Sequence, residues 1–374
     1  MAKKLYVGVD GYARKVKKLY VGVDNVAKKV KKAYIGVGGV ARPCWTGGEL
    51  AYYGTITPLS RARAGTAATS VGNYAIFAGG SNGSGTRYSD VDAYNKSLTK
   101  TDIPALSVAR SDHAATHTAD YALVGGGNRG SSTSISNAVD AYDKSLTRTD
   151  APVLKLARYR VAATHVGNYG LIAGGFTSDA SPSNVVDAYD NSLTKTNPAT
   201  LSRARQQLGA ATVGNYAIFA GGKTSNATAD RDNTVDAYDS SLTRTVATPL
   251  SQKVQIRAAT SVGDYALFLS NNSGYSYVYV YDKSLTATVL TPIVSDLQDA
   301  AATTIGGYAI FAGGYDGDGY NASAFVFDEN LTQTFTTSLS EGRRSLSATS
   351  VGDFAIFAGG VTNDEKTTVE AYAV

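Results

Sequence analysis

Short apolar runs recur along most of the chain at a nearly constant spacing. The clearest run is VGNYAIFAGG at 71–80, and the same ten residues return at 213–222. Seven such runs each contain an anchoring aromatic residue, and the anchors are Tyr74, Tyr121, Tyr169, Tyr216, Tyr265, Tyr308 and Phe354. Their spacings are 47, 48, 47, 49, 43 and 46 residues. A period in the high forties built from short strands and turns is typical of a propeller blade rather than of a helical solenoid.

Each period contains four strand-like segments. A half-apolar segment such as AGTAATSV (64–71) comes first, and a Gly-Asn or Gly-Asp pair then predicts a tight turn. The following YAIFAGG run is apolar on both faces, as expected for a strand packed between neighbouring sheets. A variable loop leads to a third segment, V-D-A-Y-[DN], and a fourth, outer segment contains S-L-T-[K/R]-T, as at 97–101. The pattern predicts an all-β, seven-bladed β-propeller.

The last period lacks its outer segment. VEAYAV (369–374) matches a third strand, and no S-L-T segment follows it. The missing piece lies at the other end of the repeat region, because AYYGTITPLSRAR (51–63) matches the end of a period. Residues near 51–57 are therefore expected to supply the outer strand of the last blade, which removes an unpaired sheet edge. The predicted propeller domain spans 47–374.

A different repeat, with a period of 14 residues, occupies the N-terminal segment. LYVGVDGYARKVKK (5–18) is followed by LYVGVDNVAKKVKK (19–32) and AYIGVGGVARPCW (33–45). The Asp-Gly, Asp-Asn and Gly-Gly pairs favour two-residue hairpin turns. A short meander of hairpins is predicted for a module at 1–46. Because one hairpin is barely stable alone, this module is expected to need a partner, which could be a second copy, the propeller or another protein.

Charge differs sharply between the two parts. Residues 1–45 contain 11 Lys or Arg and 2 Asp, whereas the remainder has a net charge of −5. A basic tract can attract nucleic acid, but regular lysines on a β-meander also protect sheet edges. No aromatic stacking platform accompanies them, so nucleic-acid binding is not predicted.

The sequence also carries information on membrane spans, a secretory signal and disulfide-forming cysteines. The sequence contains no apolar run of 18 residues, so no membrane span is predicted. The N-terminus also lacks the apolar region of a secretory signal. The single cysteine, Cys44, excludes an internal disulfide framework.

Residues that could carry out chemistry are few. The three histidines are His113, His117 and His165, and His117 and His165 take a repeat position that is Ser or Thr in other units. We therefore expect structural histidines, no metal site and no cofactor, since a metal needs several convergent ligands. The acids of V-D-A-Y-D recur in several units, which favours turn capping and inter-blade hydrogen bonds over a pair of catalytic carboxylates. No enzyme activity is predicted, although a carbohydrate-active enzyme remains an alternative.

The order Arg, small apolar strand, turn, Y-x-[IF]-x-GG, V-[DE]-x-Y-[DN] and outer strand resembles the kelch repeat. The outer-strand tryptophan usual in that family is absent, because the only Trp is Trp45. The run VKKLYVGVDNVAKKVKKAYIGVGGVARP and the AYDKSLTRT-type repeat are similar to structural proteins of prophages of Gram-positive bacteria. This resemblance implies a virion tail or tail-like extracellular particle, made in the bacterial cytoplasm. Residues 1–46 would then bind other tail or baseplate proteins, or form a homo-oligomer.

Two sets of residues are candidates for ligand binding. An arginine series precedes the anchoring aromatics by 11 residues and consists of Arg63, Arg110, Arg158, Arg205 and Arg343, with Val254 and Leu297 interrupting it. Each arginine either pairs with an Asp of a neighbouring unit or contributes to a positive rim that binds anionic or hydroxyl-rich ligands. The variable loops after the Gly pairs are rich in Ser, Gly, Asn and Asp, and their aromatic candidates are Tyr88, Phe176, Tyr275, Tyr315 and Tyr320.

Together these features predict a non-catalytic tail protein whose propeller binds a bacterial surface glycan or protein. A purely structural decoration module without a ligand is the alternative from a different class.

Overall fold

The computed structural model describes residues 49–374, except 132, 228, 273–274 and 291–296, together with the backbone of six short strands before residue 46. These six strands are β1 (Tyr6–Val9), β2 (Tyr12–Lys15), β3 (Leu19–Val23), β4 (Val26–Val30), β5 (Ala33–Val37) and β6 (Val40–Trp45). They pair as three antiparallel hairpins, β1 with β2, β3 with β4 and β5 with β6. Each hairpin is a separate two-stranded sheet, so the 14-residue repeat forms discrete hairpins where a meander was predicted. The turn residues themselves lie outside the described residues.

The remaining strands form seven four-stranded antiparallel sheets, the blades of a β-propeller. The strands of blades 1 to 3 are β8 (Ala67–Val71), β9 (Tyr74–Ala78), β10 (Val91–Asn95), β11 (Lys100–Asp102), β12 (Ala114–His117), β13 (Tyr121–Gly125), β14 (Val139–Asp143), β15 (Arg148–Ala151), β16 (Ala162–Val166), β17 (Tyr169–Ala173), β18 (Val186–Tyr189) and β19 (Lys195–Thr196). Those of blades 4 to 6 are β20 (Gly209–Val213), β21 (Tyr216–Ala220), β22 (Val235–Tyr238), β23 (Arg244–Val246), β24 (Ile256–Val262), β25 (Tyr265–Asn272), β26 (Tyr275–Asp282), β27 (Ala287–Val289), β28 (Ala301–Ile305), β29 (Tyr308–Ala312), β30 (Ala324–Asp328) and β31 (Gln333–Phe335). Blade 7 contains β32 (Ser347–Val351), β33 (Phe354–Ala358), β34 (Val369–Ala373) and β7 (Ala51–Ile56).

The burial pattern of each strand follows its position in the blade. The inner strand β8 alternates between buried and partly exposed residues, so one of its faces lines the axis. The second and third strands, such as β9 and β10, are buried on both faces, because they pack between the two adjacent blades. The outer strand β11 is mostly exposed. The two-sided apolar run in the sequence therefore corresponds to the second strand of each blade.

Blade 7 is completed by the strand that opens the propeller. Strand β7 pairs antiparallel with β34, with Val369 opposite Ile56 and Ala373 opposite Ala51. Tyr53 packs edge-on against Phe354 of the same blade, with ring centroids 5.1 Å apart. Inner strands of successive blades contact one another around the axis, and β32 of blade 7 contacts β8 of blade 1. The outer-strand position of residues 51–57 is the one that the repeat alignment predicts.

Neighbouring blades approach each other closely at the Gly pairs. Gly79 adopts φ +62°, and a Cβ atom there would lie 2.6 Å from the carbonyl oxygen of Arg110 in the next blade. The N–H of the adjacent Gly80 donates to that same carbonyl at 3.0 Å. A side chain at Gly79 would therefore force the two blades apart, which explains why the Gly pair recurs.

Blade 5 has no Gly pair, and its second hairpin is longer. Ser270 and Asn271 continue β25 to Asn272, and β26 begins at Tyr275. An extended β-ladder therefore replaces the loop that follows the Gly pair in other blades, with Asn272 opposite Tyr275.

Candidate functional site

The variable loops and the blade-to-blade linkers lie at the same end of the strands. Each inner strand runs away from this end, the second strand returns to it, and the third and outer strands repeat the alternation. The loop between the second and third strands and the linker after the outer strand therefore share one face, which we call the loop face. Both sets of residues selected from the sequence belong to segments of this face.

The arginine series is buried beneath the loop face. All five side chains are completely inaccessible to solvent, and each guanidinium forms an ion pair with an equally buried carboxylate. The pairs are Arg63–Asp92, Arg110–Asp140, Arg158–Asp187, Arg205–Asp236 and Arg343–Glu370. The series thus forms no exposed positive rim. The interpretation as a rim is corrected because each charge is neutralised inside the protein.

Each ion pair lies within one blade. Pairing of each arginine with an Asp of a neighbouring unit was the other interpretation from the sequence, and it is corrected, because both partners belong to the same unit. Arg110 precedes β12, and Asp140 is on β14 of the same blade, with the Nη2–Oδ2 distance at 2.5 Å. The connection between blades is made by the main chain of the arginine. Its carbonyl oxygen accepts the N–H of Gly80 in blade 1. The side chain and the main chain of one residue therefore hold two blades together.

The two blades that lack the arginine also lack its acidic partner. Val254 stands at the arginine position of blade 5, and Tyr279 replaces the acid there. In blade 6 the corresponding residues are Leu297 and Phe325. All four side chains are buried. Because arginine and acid are lost together, the paired charges are interchangeable with an apolar contact, which is the behaviour of a structural element.

The electrostatic environment of the acids agrees with this role. Burial alone would raise the pKa of Asp140, but the Arg110 guanidinium, the Ser107 N–H and Arg148 outweigh it and hold this pKa below its usual range. Burial alone would likewise raise the pKa of Asp92, but Arg63 and Lys100 outweigh this effect, and the pKa of Asp92 is lowered. Both carboxylates therefore remain ionised inside the blade.

Four of the five candidate aromatics are at least partly accessible on the loop face. Tyr275 is 49% exposed at the end of the extended hairpin of blade 5. Tyr315 and Tyr320 pack edge to face with ring centroids 5.6 Å apart, and the Arg61 guanidinium lies 4.8 Å from the ring centroid of Tyr88. Phe176 differs, because it is only 2% exposed and packs against Tyr159. Phe176 is therefore a packing residue, which corrects its selection as an exposed contact.

A cavity of about 610 Å³ opens on the loop face beside the axis, between blades 3 and 6. It is lined by Tyr159, Arg160, Gln207, Lys223, Asn226, Arg231, Gln255, Arg257 and Asp299. We call it the cationic cavity, because Arg160, Lys223, Arg231 and Arg257 contribute positive charges and Asp299 is the one carboxylate among these lining residues. Sequence reasoning missed all four cations. The available signal was that Arg160 and Lys223 depart from the residues at the matching positions of other units.

The channel along the axis has a different character. It encloses about 400 Å³ and is lined by small alanines and by hydroxyl groups of the inner strands. His117 and His165 lie in it with ring centroids 4.2 Å apart. Burial, with a further contribution from His165, lowers the pKa of His117 to about 4, and burial also lowers the pKa of His165. Both imidazoles are therefore neutral at pH 7.

His113 lies deeper, at the junction of blades 1 and 2. Its Nε2 is 3.0 Å from the carbonyl oxygen of Ala78. Burial, and next the charge of Arg110, lowers the pKa of His113 to about 3. The residue is buried in its neutral form and fixes the contact between two blades.

In comparisons with known proteins, no family model and no curated protein sequence matches the chain. Across the described residues, no helix has the length and apolar character needed to span a membrane.

Proposed function

We propose that this protein is a non-catalytic component of a phage tail or tail-like particle, and that the loop face of its propeller binds a bacterial surface glycan or protein. The observation that carries the binding proposal is the cationic cavity, a concave and polar site beside the axis with a volume in the range of ligand sites. The resemblance of the repeats to kelch units and to prophage structural proteins supports the setting.

Partly exposed aromatic rings near the cavity support a glycan as the ligand. Tyr315 forms a β-bridge with Gln298, the residue before Asp299 in the cavity wall. Tyr320 packs against Tyr315, and the Arg344 guanidinium lies 5.4 Å from the ring centroid of Tyr315. Flat aromatic faces beside hydrogen-bonding side chains suit sugar rings. The ligand is expected to extend from the cationic cavity across blade 6.

The N-terminal hairpins are assigned the attachment role in this proposal. The segment forms three two-stranded hairpins, and a two-stranded hairpin is only marginally stable by itself. Their high positive charge suits an acidic surface on a tail or baseplate protein, or on a second copy of the propeller, whose own net charge is negative.

The test is adsorption of the labelled protein to a panel of Gram-positive cells, combined with a glycan array. The triple variant Tyr88→Ala, Tyr315→Ala and Tyr320→Ala is expected to lose at least about tenfold in affinity, since aromatic contacts contribute about 0.5–1.5 kcal/mol each. Phe335→Ala is the control, because this ring is 71% exposed on the outer strand of blade 6 and belongs neither to a variable loop nor to the lining of the cationic cavity.

Three outcomes decide the proposal. Loss of adsorption in the triple variant and retention in the control supports binding by the loop face. Equal adsorption by the triple variant and the parent removes the aromatic residues from the proposal. No adsorption by any form, on cells or on the array, favours the structural decoration module.

A further inference from the structure

Within the described part of the chain, three of the four cations of the cationic cavity, Arg160, Lys223 and Arg231, form no ion pair with a carboxylate. Arg257 is the one of its four cations with a carboxylate among the described ion pairs, and the Nη1–Oδ1 distance to Asp299 is 4.0 Å. Asp299 is itself 46% exposed, so this pair is weak. The five buried arginines of the arginine series, by contrast, each contact a carboxylate at 2.6 Å or less. Among the described residues, the structural cations are thus closely paired with carboxylates, whereas Arg160, Lys223 and Arg231 are not.

The cavity cations are held in place by neutral oxygens. Arg160 donates to Oε1 of Gln206 at 3.3 Å, and Lys223 donates to the carbonyl oxygen of Asn226 at 3.1 Å. Arg231 donates to the carbonyl oxygen of Asn271 at 3.4 Å, and Arg257 donates through Nε to the side-chain oxygen of the same residue at 2.8 Å. Neutral acceptors orient Arg160, Lys223 and Arg231 without cancelling their charge. Such an arrangement is preorganised for an anion.

The charge of Lys223 is repelled by the other cations of the cavity. This side chain is only 9% exposed. Burial lowers the pKa of Lys223 first, and Arg160, Arg231 and Arg257 lower it further, against a small opposing effect of Asp230. A bound anion would reverse these repulsive contributions.

The cluster is not a product of the repeat. The position of Arg160 is occupied by Gly65, Asp112, Gln207, Ile256, Asp299 and Ser345 in the other units. The position of Lys223, directly after the Gly pair, is occupied in other units by Ser81, Asn128, Phe176, Tyr315 and Val361. Blade geometry is therefore satisfied without a cation at either place. Deviations from a repeat that converge on one cavity indicate a function of that cavity rather than of the fold.

From these observations we infer that the cationic cavity binds the phosphate group of an anionic surface glycan, with Arg160 and Arg257 as forked donors and Lys223 as a point charge. This inference rests on the proposed function, because the glycan is the ligand proposed there. The 610 Å³ volume accommodates a sugar phosphate as a unit, so the phosphate would occupy the cavity while the chain continues over Tyr315.

Calorimetric titration of the full-length protein tests the anion site directly, with inorganic pyrophosphate, glucose 6-phosphate and glucose as probes. Pyrophosphate and glucose 6-phosphate are expected to bind, more weakly as salt increases, and glucose to bind at least tenfold more weakly than its phosphate. Arg160→Gln and Lys223→Asn place the residues of other units, Gln207 and Asn128, at these positions. Each is expected to weaken pyrophosphate about tenfold, because a hydrogen bond to a charged group contributes about 1.5–3 kcal/mol.

Arg129→Gln is the matched control, since Arg129 is an exposed loop residue of blade 2 that does not line the cavity. It removes the same charge and is expected to change pyrophosphate affinity less than twofold. Equal losses in Arg129→Gln and Arg160→Gln would overturn the site, because the effect would then be one of net charge. Thermal unfolding of all variants separates lost binding from lost folding.

Cell adsorption distinguishes the failure of this inference from the failure of the proposed function. Adsorption that neither pyrophosphate nor Arg160→Gln reduces would overturn the anion site and leave surface binding intact. Pyrophosphate binding that is sensitive to Arg160→Gln, in a protein that adsorbs to no cell, would retain the anion site and refute surface binding. Oligo-dT is the remaining probe, and its binding in preference to glucose 6-phosphate would overturn the glycan as the source of the phosphate.

Discussion

Arg110 and Asp140 show what a buried ion pair contributes to one blade. Replacing Arg110 with Leu leaves Asp140 charged and buried, with Arg148, at 2.6 Å, as the remaining cation in its described ion pairs. We expect Arg110→Leu to lower the free energy of unfolding by about 3–5 kcal/mol. Denaturant unfolding with pyrophosphate absent gives the value. Arg61→Leu is the control, because the Arg61–Asp90 pair is exposed and is expected to contribute about 0–1 kcal/mol.

The residues of blade 6 indicate which double variant to test at the Arg110–Asp140 site. Leu297 and Phe325 occupy the two positions there, so Arg110→Leu combined with Asp140→Phe reproduces a pair that this fold already accepts. We expect the double variant to be more stable than Arg110→Leu alone, with a coupling energy of about 2 kcal/mol in the double-mutant cycle. Additive losses would contradict the idea that the two blades solve the same packing problem in different ways.

His113 makes stability depend on pH. Its folded pKa of about 3 lies below the value of about 6.5 of an unfolded histidine, so the unfolded chain binds the proton first. The stabilisation is complete above about pH 6.5 and is lost as the pH falls toward 3, by about 1.4 kcal/mol per pH unit.

Measurement of unfolding free energy at a series of pH values checks this dependence. His113→Leu is the matched variant, because Leu208 and Leu346 occupy the same repeat position in blades 4 and 7. Between pH 6 and pH 4, the slope of the unfolding free energy against pH is expected to be shallower for His113→Leu than for the parent, by the amount that corresponds to about one proton. Parallel slopes would assign the titration to other groups, such as the His117–His165 pair.

At the scale of the strand, β7 determines whether blade 7 is complete. The Tyr52 hydroxyl donates to Glu370 at 2.6 Å, and Glu370 in turn pairs with Arg343. Deleting 1–46 is expected to leave a folded propeller with an unchanged melting temperature. Deleting 1–60 exposes the edge of β34 and is expected to lower the melting temperature markedly. Calorimetry of both truncated forms tests this expectation, and equal melting temperatures would refute closure by β7.

The strands could be predicted from the sequence because the motif of each strand recurs from one repeat to the next. The YAIFA run identifies the second strand, and the lost outer segment after Val374 points to Ala51–Ile56 as its replacement. The extended hairpin of blade 5 was not predictable in this way. There Ser270 and Asn271 replace the Gly pair, and the absence of a motif gives no indication of what replaces it.

At the scale of the whole molecule, the two candidate sites differ in how far the sequence predicts them. The structural role of the arginines could have been inferred, since Val254 with Tyr279 and Leu297 with Phe325 show that arginine and acid are lost together. The cationic cavity is harder to predict. The departures from the repeat at Arg160 and Lys223 can be read in the sequence, but the four cations come from three blades, and only the curvature of the ring brings them together.

Division of labour between the two parts of the chain gives a further prediction. The propeller without 1–46 is expected to adsorb to cells as the full-length protein does, because the cavity and the aromatic loops lie outside the deleted segment. It is expected to be absent from assembled particles. Quantifying the protein in purified particles measures the second effect. Normal incorporation of the truncated form would assign attachment to the propeller.

The pairing of β7 with β34 also sets the order in which the molecule can be completed during synthesis. Ile56 leaves the ribosome first and Val369 last, a delay of about 15 to 60 s at roughly 5–20 residues per second. During that interval six blades form while Tyr53 and Ile56 have no partner strand. On a polysome, nascent chains at different stages are neighbours, so the waiting β7 of one chain can complete blade 7 of another. Strand-exchanged dimers are therefore the expected misassembly product of this architecture, and their yield should rise with the rate of expression.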